Sequence, residues 1–101
     1  MAIERPSAQY EKVAASQTAQ VLGATGAAGD YLKGLLVTPE TAVPGVVTLL
    51  DNAISIPLYV GEAARTDLAP FFIPIGLVSV SGAWKLTTGA NLSVVAIGDF
   101  T

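Results

Sequence analysis

The chain has no cysteine and no histidine among its 101 residues. Without thiols it can form no disulfide. Without either residue type the usual ligand sets for zinc, haem and iron–sulfur clusters are missing, as are histidine general bases and Ser/His or Cys/His dyads. Its eight carboxylates are scattered from Glu4 to Asp99, and no spacing marks an acid pair of the glycosidase kind. Neither an enzyme nor a bound cofactor is expected.

Charge is scarce as well. Charged residues make up 13% of the chain and hydrophobic ones 51%, whereas an ordinary soluble domain is about 25% charged. The sequence lacks the charge normally spread over a free surface, so part of that surface is expected to be covered by other chains, in a homo-oligomer or a lattice. The net charge is −3, and the five basic residues, Arg5, Lys12, Lys33, Arg65 and Lys85, stand singly. No patch exists that would neutralise a phosphate backbone, so direct nucleic-acid binding is not expected. Long apolar runs are also missing. The longest, LAPFFIPIGLVSV over residues 68–80, is broken by Pro70, Pro74 and Gly76 and is shorter than the roughly 20 residues of a membrane helix, so no membrane span is expected. Residues 1–12 carry no apolar stretch of the signal-peptide kind, which makes synthesis in the cytoplasm the default.

What is present reads as strands. The length suits one domain, and seven or eight short extended runs alternate with turn signals about every ten residues, the pattern of an all-β antiparallel β-sandwich or jelly roll. The clearest stretch is residues 81–100, which reads as a β-hairpin turning at Gly89-Ala90-Asn91. Trp84, Leu86, Leu92, Val94 and Ala96 fall two apart along its arms and so share faces. Trp84, Leu86 and Val94 are therefore expected in the core. A second hairpin turns at Asp51-Asn52-Ala53, with Ile54, Ile56, Leu58 and Val60 on one face. Pro57 makes its second strand an edge or a bulge. An edge strand is expected within residues 17–22 and a strand over residues 31–38. Residues 61–68 read as a polar loop, and the run over residues 68–80 as two extended pieces hinged at Pro74 to Gly76. Phe71 and Phe72 are adjacent, so one enters the core while the other faces a second layer or another subunit.

Two stretches invite functional readings. The run VLGATGAAG, residues 21–29, resembles the glycine-rich phosphate loop of NAD(P)-binding reductases. That loop needs a buried strand before it, a helix directly after it and an acid about 20 residues on. Here Gly34 and Pro39 interrupt the following segment, so a flexible loop between strands is expected instead. Residues 1–12 hold Glu4, Arg5, Glu11 and Lys12 with little apolar pattern. They read as an arm preceding a β-sandwich domain over residues 13–101, either a disordered terminus or a strap on a neighbouring subunit anchored by Ile3 and Tyr10. Ile3, Arg5, Tyr10 and Phe72 are the candidate partner-binding residues.

From residue 18 to residue 100 a series of phrases follows a distinctive order: Gly29-Asp30-Tyr31-Leu32, the Pro44-Gly45 turn, the Asp51 hairpin, the apolar segment from Pro70 to Gly76, Ser81-Gly82-Ala83-Trp84-Lys85, Thr88-Gly89-Ala90-Asn91 and Gly98-Asp99-Phe100. In this order the chain resembles a family of small proteins encoded among tailed-phage head genes that look like capsid decoration or cement proteins. Asn52-Ala53 and Glu62-Ala63-Ala64 stand where that family commonly has glycine. The resemblance implies a structural virion protein on the capsid surface, made in the host cytoplasm. It would bind the major capsid protein at subunit junctions and itself as a trimer or other small homo-oligomer. The alternative from another class is a glycan- or receptor-binding module of a tail fibre or baseplate, for which only Tyr10, Tyr31 and Tyr59 offer aromatic contacts.

Overall fold

In a computed structural model, residues 9–101 are described and form an all-β protein of two four-stranded antiparallel sheets, with no helix among them. The strands are β1 (Gln9–Val13), β2 (Gln20–Val21), β3 (Tyr31–Pro39), β4 (Val47–Asp51), β5 (Ile54–Tyr59), β6 (Phe71–Val78), β7 (Trp84–Thr88) and β8 (Leu92–Asp99). Sheet A has the order β1-β8-β3-β6 and sheet B the order β2-β7-β4-β5. The pairings β1 with β8, β2 with β7, β3 with β6 and β4 with β5 are those of one long antiparallel ribbon with the β4–β5 turn at its tip. Rolling that ribbon places alternate pairs in opposite sheets. The rolled form is then closed by β3 pairing with β8 and β4 with β7, which is the jelly-roll arrangement.

The core lies between the sheets. Sheet A contributes Val13, Leu32, Leu35, Val37, Leu92, Val94 and Ala96, and sheet B contributes Val47, Leu49, Trp84 and Leu86, with Leu22 and Phe100 closing the ends. Trp84, Leu86 and Val94 thus sit where the alternation puts them. Trp84 donates its indole N–H to the Asp30 carbonyl at 2.8 Å, so its one polar atom is satisfied inside the core.

The expected hairpin of residues 81–100 is not formed, because β7 lies in sheet B and β8 in sheet A. The reversal at Gly89 and Asn91 is real, and Asn91 takes the left-handed φ of 64°. The arms, however, face each other across the core instead of sharing a ladder. The connecting loop is held by other segments: the Gly89 amide donates to Val46 O at 2.8 Å and the Glu40 amide to Asn91 O at 2.9 Å.

The expected arm is also corrected. Residues 9–12 belong to the fold, since β1 pairs with β8 from Gln9↔Gly98 to Val13↔Val94 and Val13 is fully buried. The boundary at residue 12 therefore cuts through a strand. Glu11 points toward the gap between the sheets, where its carboxylate accepts from Gln20 Nε2 and from the Gly23 amide, both at 2.8 Å. That charge ties the β1 edge of sheet A to the β2 edge of sheet B and hides the alternation that would have marked the strand. Residues 1–8, with Ile3 and Arg5, lie outside the described residues.

Other expectations hold with adjustments. The β4–β5 hairpin turns at Asn52, whose φ is 56°. Its second strand is an edge, as Pro57 requires, with a register shift between Val47 and Thr48. That irregularity breaks the alternation: Ile56, Leu58 and Tyr59 all pack on the core, while Ile54 and Val60 are exposed. The edge strand within residues 17–22 shrinks to β2. The apolar run over residues 68–80 is one strand instead of two hinged pieces, because Gly76 at φ 68° absorbs the irregularity opposite Lys33 within β6. The glycine-rich loop leads from β2 straight into β3 and not into a helix, so it does not take the form of a dinucleotide loop.

Candidate interaction surface

The two sheets present unlike faces to the outside. In an antiparallel ladder directly paired residues point the same way, so the register defines rows across each outer face. On sheet A one row runs Lys12, Val95, Leu36, Phe72, and the next runs Tyr10, Ile97, Gly34, Pro74. A third holds Asp99, Tyr31 and Val78, and Lys33 stands beside the second row as the bulged residue of β3. On sheet B the corresponding rows are Val21, Lys85, Leu50, Ser55 and then Thr87, Thr48, Pro57. Sheet B is mostly hydroxyl and ammonium with apolar residues interspersed. Sheet A carries Val95, Leu36, Ile97, Phe72, Pro74 and Tyr10 as one connected apolar field.

Gly34 keeps that field level. A Cβ there would run into the ring of Phe72 and approach Ile73 O at 2.7 Å, so the ring lies across the glycine and fills the gap in its row. Two of the candidate partner-binding residues, Tyr10 and Phe72, which are far apart in sequence, thus share the same outer face at opposite edges, with exposures of 77% and 44%. Phe71 takes the other side and packs on the core, as adjacency required.

Leu36, Val95 and Ile97 were not singled out from the sequence. Their signal was available: β8 reads LSVVAIGD, apolar at both parities through its middle, which is how a strand covered on both faces reads.

At the margin between β5 and β6, the Tyr59 and Phe71 rings meet at a tilt of 59° with 5.3 Å between centroids, and the Arg65 guanidinium lies 4.7 Å from the Phe71 ring centre. Arg65 also pairs with Glu62, whose carboxylate accepts a hydrogen bond from the Tyr59 hydroxyl. The phenol and Arg65 hold the Glu62 carboxyl below its ordinary 4.5. Burial, followed by the neighbouring carboxylate, raises the Tyr59 phenol. Because the Glu62 value is depressed on folding, its contribution is present above 4.5 and lost as pH falls through the folded value. The cluster stands at the start of the loop over residues 61–70, and within that loop the Glu62 amide donates to Pro44 O at 3.1 Å and the Arg65 amide to Ala42 O at 2.6 Å. Hydrogen exchange at the Arg65 amide, corrected for intrinsic rate, should therefore accelerate on acidification through that range. Glu62→Gln should exchange fast already at neutral pH and show no acid step. An unchanged profile in the variant would show that the loop is held by other contacts.

Among the described residues no group of three carboxylates comes together to hold a metal ion. What the arrangement offers is a sheet face with an apolar centre and charges only at Lys12, Lys33 and Asp99. The chain matches no family model, no curated protein and no solved structure.

Proposed function

We propose that this protein is a structural component of a virus particle, a capsid decoration protein that binds at junctions between major capsid subunits as a small homo-oligomer and strengthens the head. The observation that supports this reading is the outer face of sheet A, a connected apolar field on a chain with only 13% charged residues. Such a face favours association, because leaving it in water forgoes the free energy of burying its apolar side chains. The kind of assembly follows from the resemblance of the ordered phrases to small tailed-phage head proteins. The jelly roll is an architecture that capsid domains also use, although a fold by itself does not assign a function.

The reading is tested by mixing the purified protein with heads that lack it and measuring co-sedimentation. Saturable binding to heads, with density for the jelly roll at subunit junctions in cryo-EM maps of native particles, is the expected result. Absence from heads together with presence on tails and a hit on a glycan array would replace it with the receptor-binding module.

A further inference from the structure

We propose that the outer face of sheet A is covered by the same face of a second copy, related by a two-fold axis that runs along the strands midway between β8 and β3. This rests on reading that face as a buried surface in the assembly, and it commits the face to self-association instead of to the shell.

Three of the four sheet edges argue against assembly by strand addition, β1 being the exception. β6 carries Pro74 and the left-handed Gly76, β5 carries Pro57 and a register shift, and β2 is only two residues long. Proline and irregular backbone are the devices that stop an edge from accepting another strand. A broad apolar face remains.

That face is complementary to itself under the proposed axis, which keeps each row in place and exchanges β1 with β6 and β8 with β3. Val95 then meets the partner's Leu36, and Tyr10 meets the partner's Pro74. Ile97 meets the partner's Gly34, where the ring lying across the glycine offers an apolar floor. The charges sort as well. Lys33 on β3 comes near the partner's Asp99 on β8, an opposite-sign pair, and Lys12 comes over the partner's Phe72. Lys33 and Asp99 stand on the two strands that flank the axis, so the two copies gather two ammoniums and two carboxylates there, a group with no net charge.

The size fits a weak, specific pair. Four strands about 4.8 Å apart and five to nine residues long cover on the order of 500 Å² in projection. Two copies cover twice that, roughly 1,000 Å², the size of weak and transient interfaces. Dissociation is then expected in the micromolar range, which sets the concentrations to use.

The test is sedimentation velocity on the isolated full chain between about 1 and 200 µM, with no capsid present. A monomer–dimer equilibrium is expected. Ile97→Asp should weaken it at least about 30-fold by placing a carboxylate in the apolar centre. Phe72→Ala, at a position already part-exposed and so compatible with folding, should weaken it about 10-fold. Thr48→Asp, on the outer face of sheet B, should leave it unchanged. A monomer throughout, a trimer, or a dimer indifferent to both Ile97→Asp and Phe72→Ala would overturn the proposal. Because no shell is involved, a monomer that still binds heads would sink the dimer alone, and a dimer that ignores heads would sink only the capsid reading.

Discussion

Trp84→Ala should lower the unfolding free energy of the domain by about 3–5 kcal/mol, the cost of emptying a large aromatic site that its surroundings cannot close. Trp84 is 2% exposed and heads the fully buried side chains by volume. Its neighbourhood is braced. The Asp30 carbonyl that receives the indole N–H also accepts the Ser79 amide at 2.9 Å. The Asp30 carboxylate holds the Ala27 and Thr101 amides, each at 3.1 Å, and the Thr101 hydroxyl at 2.8 Å. Groups fixed this way do not slide into a void, so the loss should fall in the upper part of the usual range. Against a total of about 5–15 kcal/mol for a domain of this kind, it removes about a fifth of the stability or more. Trp84→Phe keeps most of the apolar volume and leaves Asp30 O still bonded to Ser79, so it should cost about 1–2 kcal/mol. Urea unfolding followed by circular dichroism measures both. A loss below about 1 kcal/mol for the alanine variant would show that the site collapses around the missing ring.

The same tryptophan shows what the sequence conveyed and what it withheld. The period of two in Trp84, Leu86, Leu92, Val94 and Ala96 identified inward residues correctly, because a hairpin and a pair of strands in facing sheets bury the same parity. Which of the two forms is decided elsewhere. Val46 and Glu40, some fifty residues away in sequence, supply the hydrogen bonds that hold the Gly89 to Asn91 loop at the end of the sandwich. Local turn chemistry specifies a reversal and says nothing about the partner of each arm. Pro57 was legible for the opposite reason: a missing amide proton restricts a strand to edge or bulge wherever it goes. The outer face of sheet A lay between these cases. Phe72 was visible through its adjacency to Phe71. Ile97 and Leu36 became part of a surface only once the register set them beside Tyr10 and Phe72.

Deleting residues 1–12 should destabilise the protein by about 3 kcal/mol or more relative to deleting residues 1–8, because the longer deletion removes β1 and the hydrogen bonds its side chains make. The near absence of an alternating apolar pattern in residues 1–12 argues the reverse, that they can go without unfolding the sandwich. With β1 absent, the β8 edge from Val94 to Gly98 loses its ladder partner and Val13 loses the register that buries it. The Gly23 amide and Gln20 side chain lose the Glu11 carboxylate, and the Phe100 amide loses the Gln9 side chain at 3.1 Å. Bonds to a charged group are worth about 1.5–3 kcal/mol each where water does not replace them, so Glu11 carries much of the effect. For a domain this size each kcal/mol shifts the melting temperature by about 4–8 °C, so the longer deletion should melt at least about 12 °C below the shorter one. Glu11→Ala in the full chain separates the two contributions: it keeps the strand, loses the tie to β2, and should account for about half of the difference. Equal melting temperatures for the two deletions would mean that β1 contributes no stability and that the jelly roll holds with seven strands.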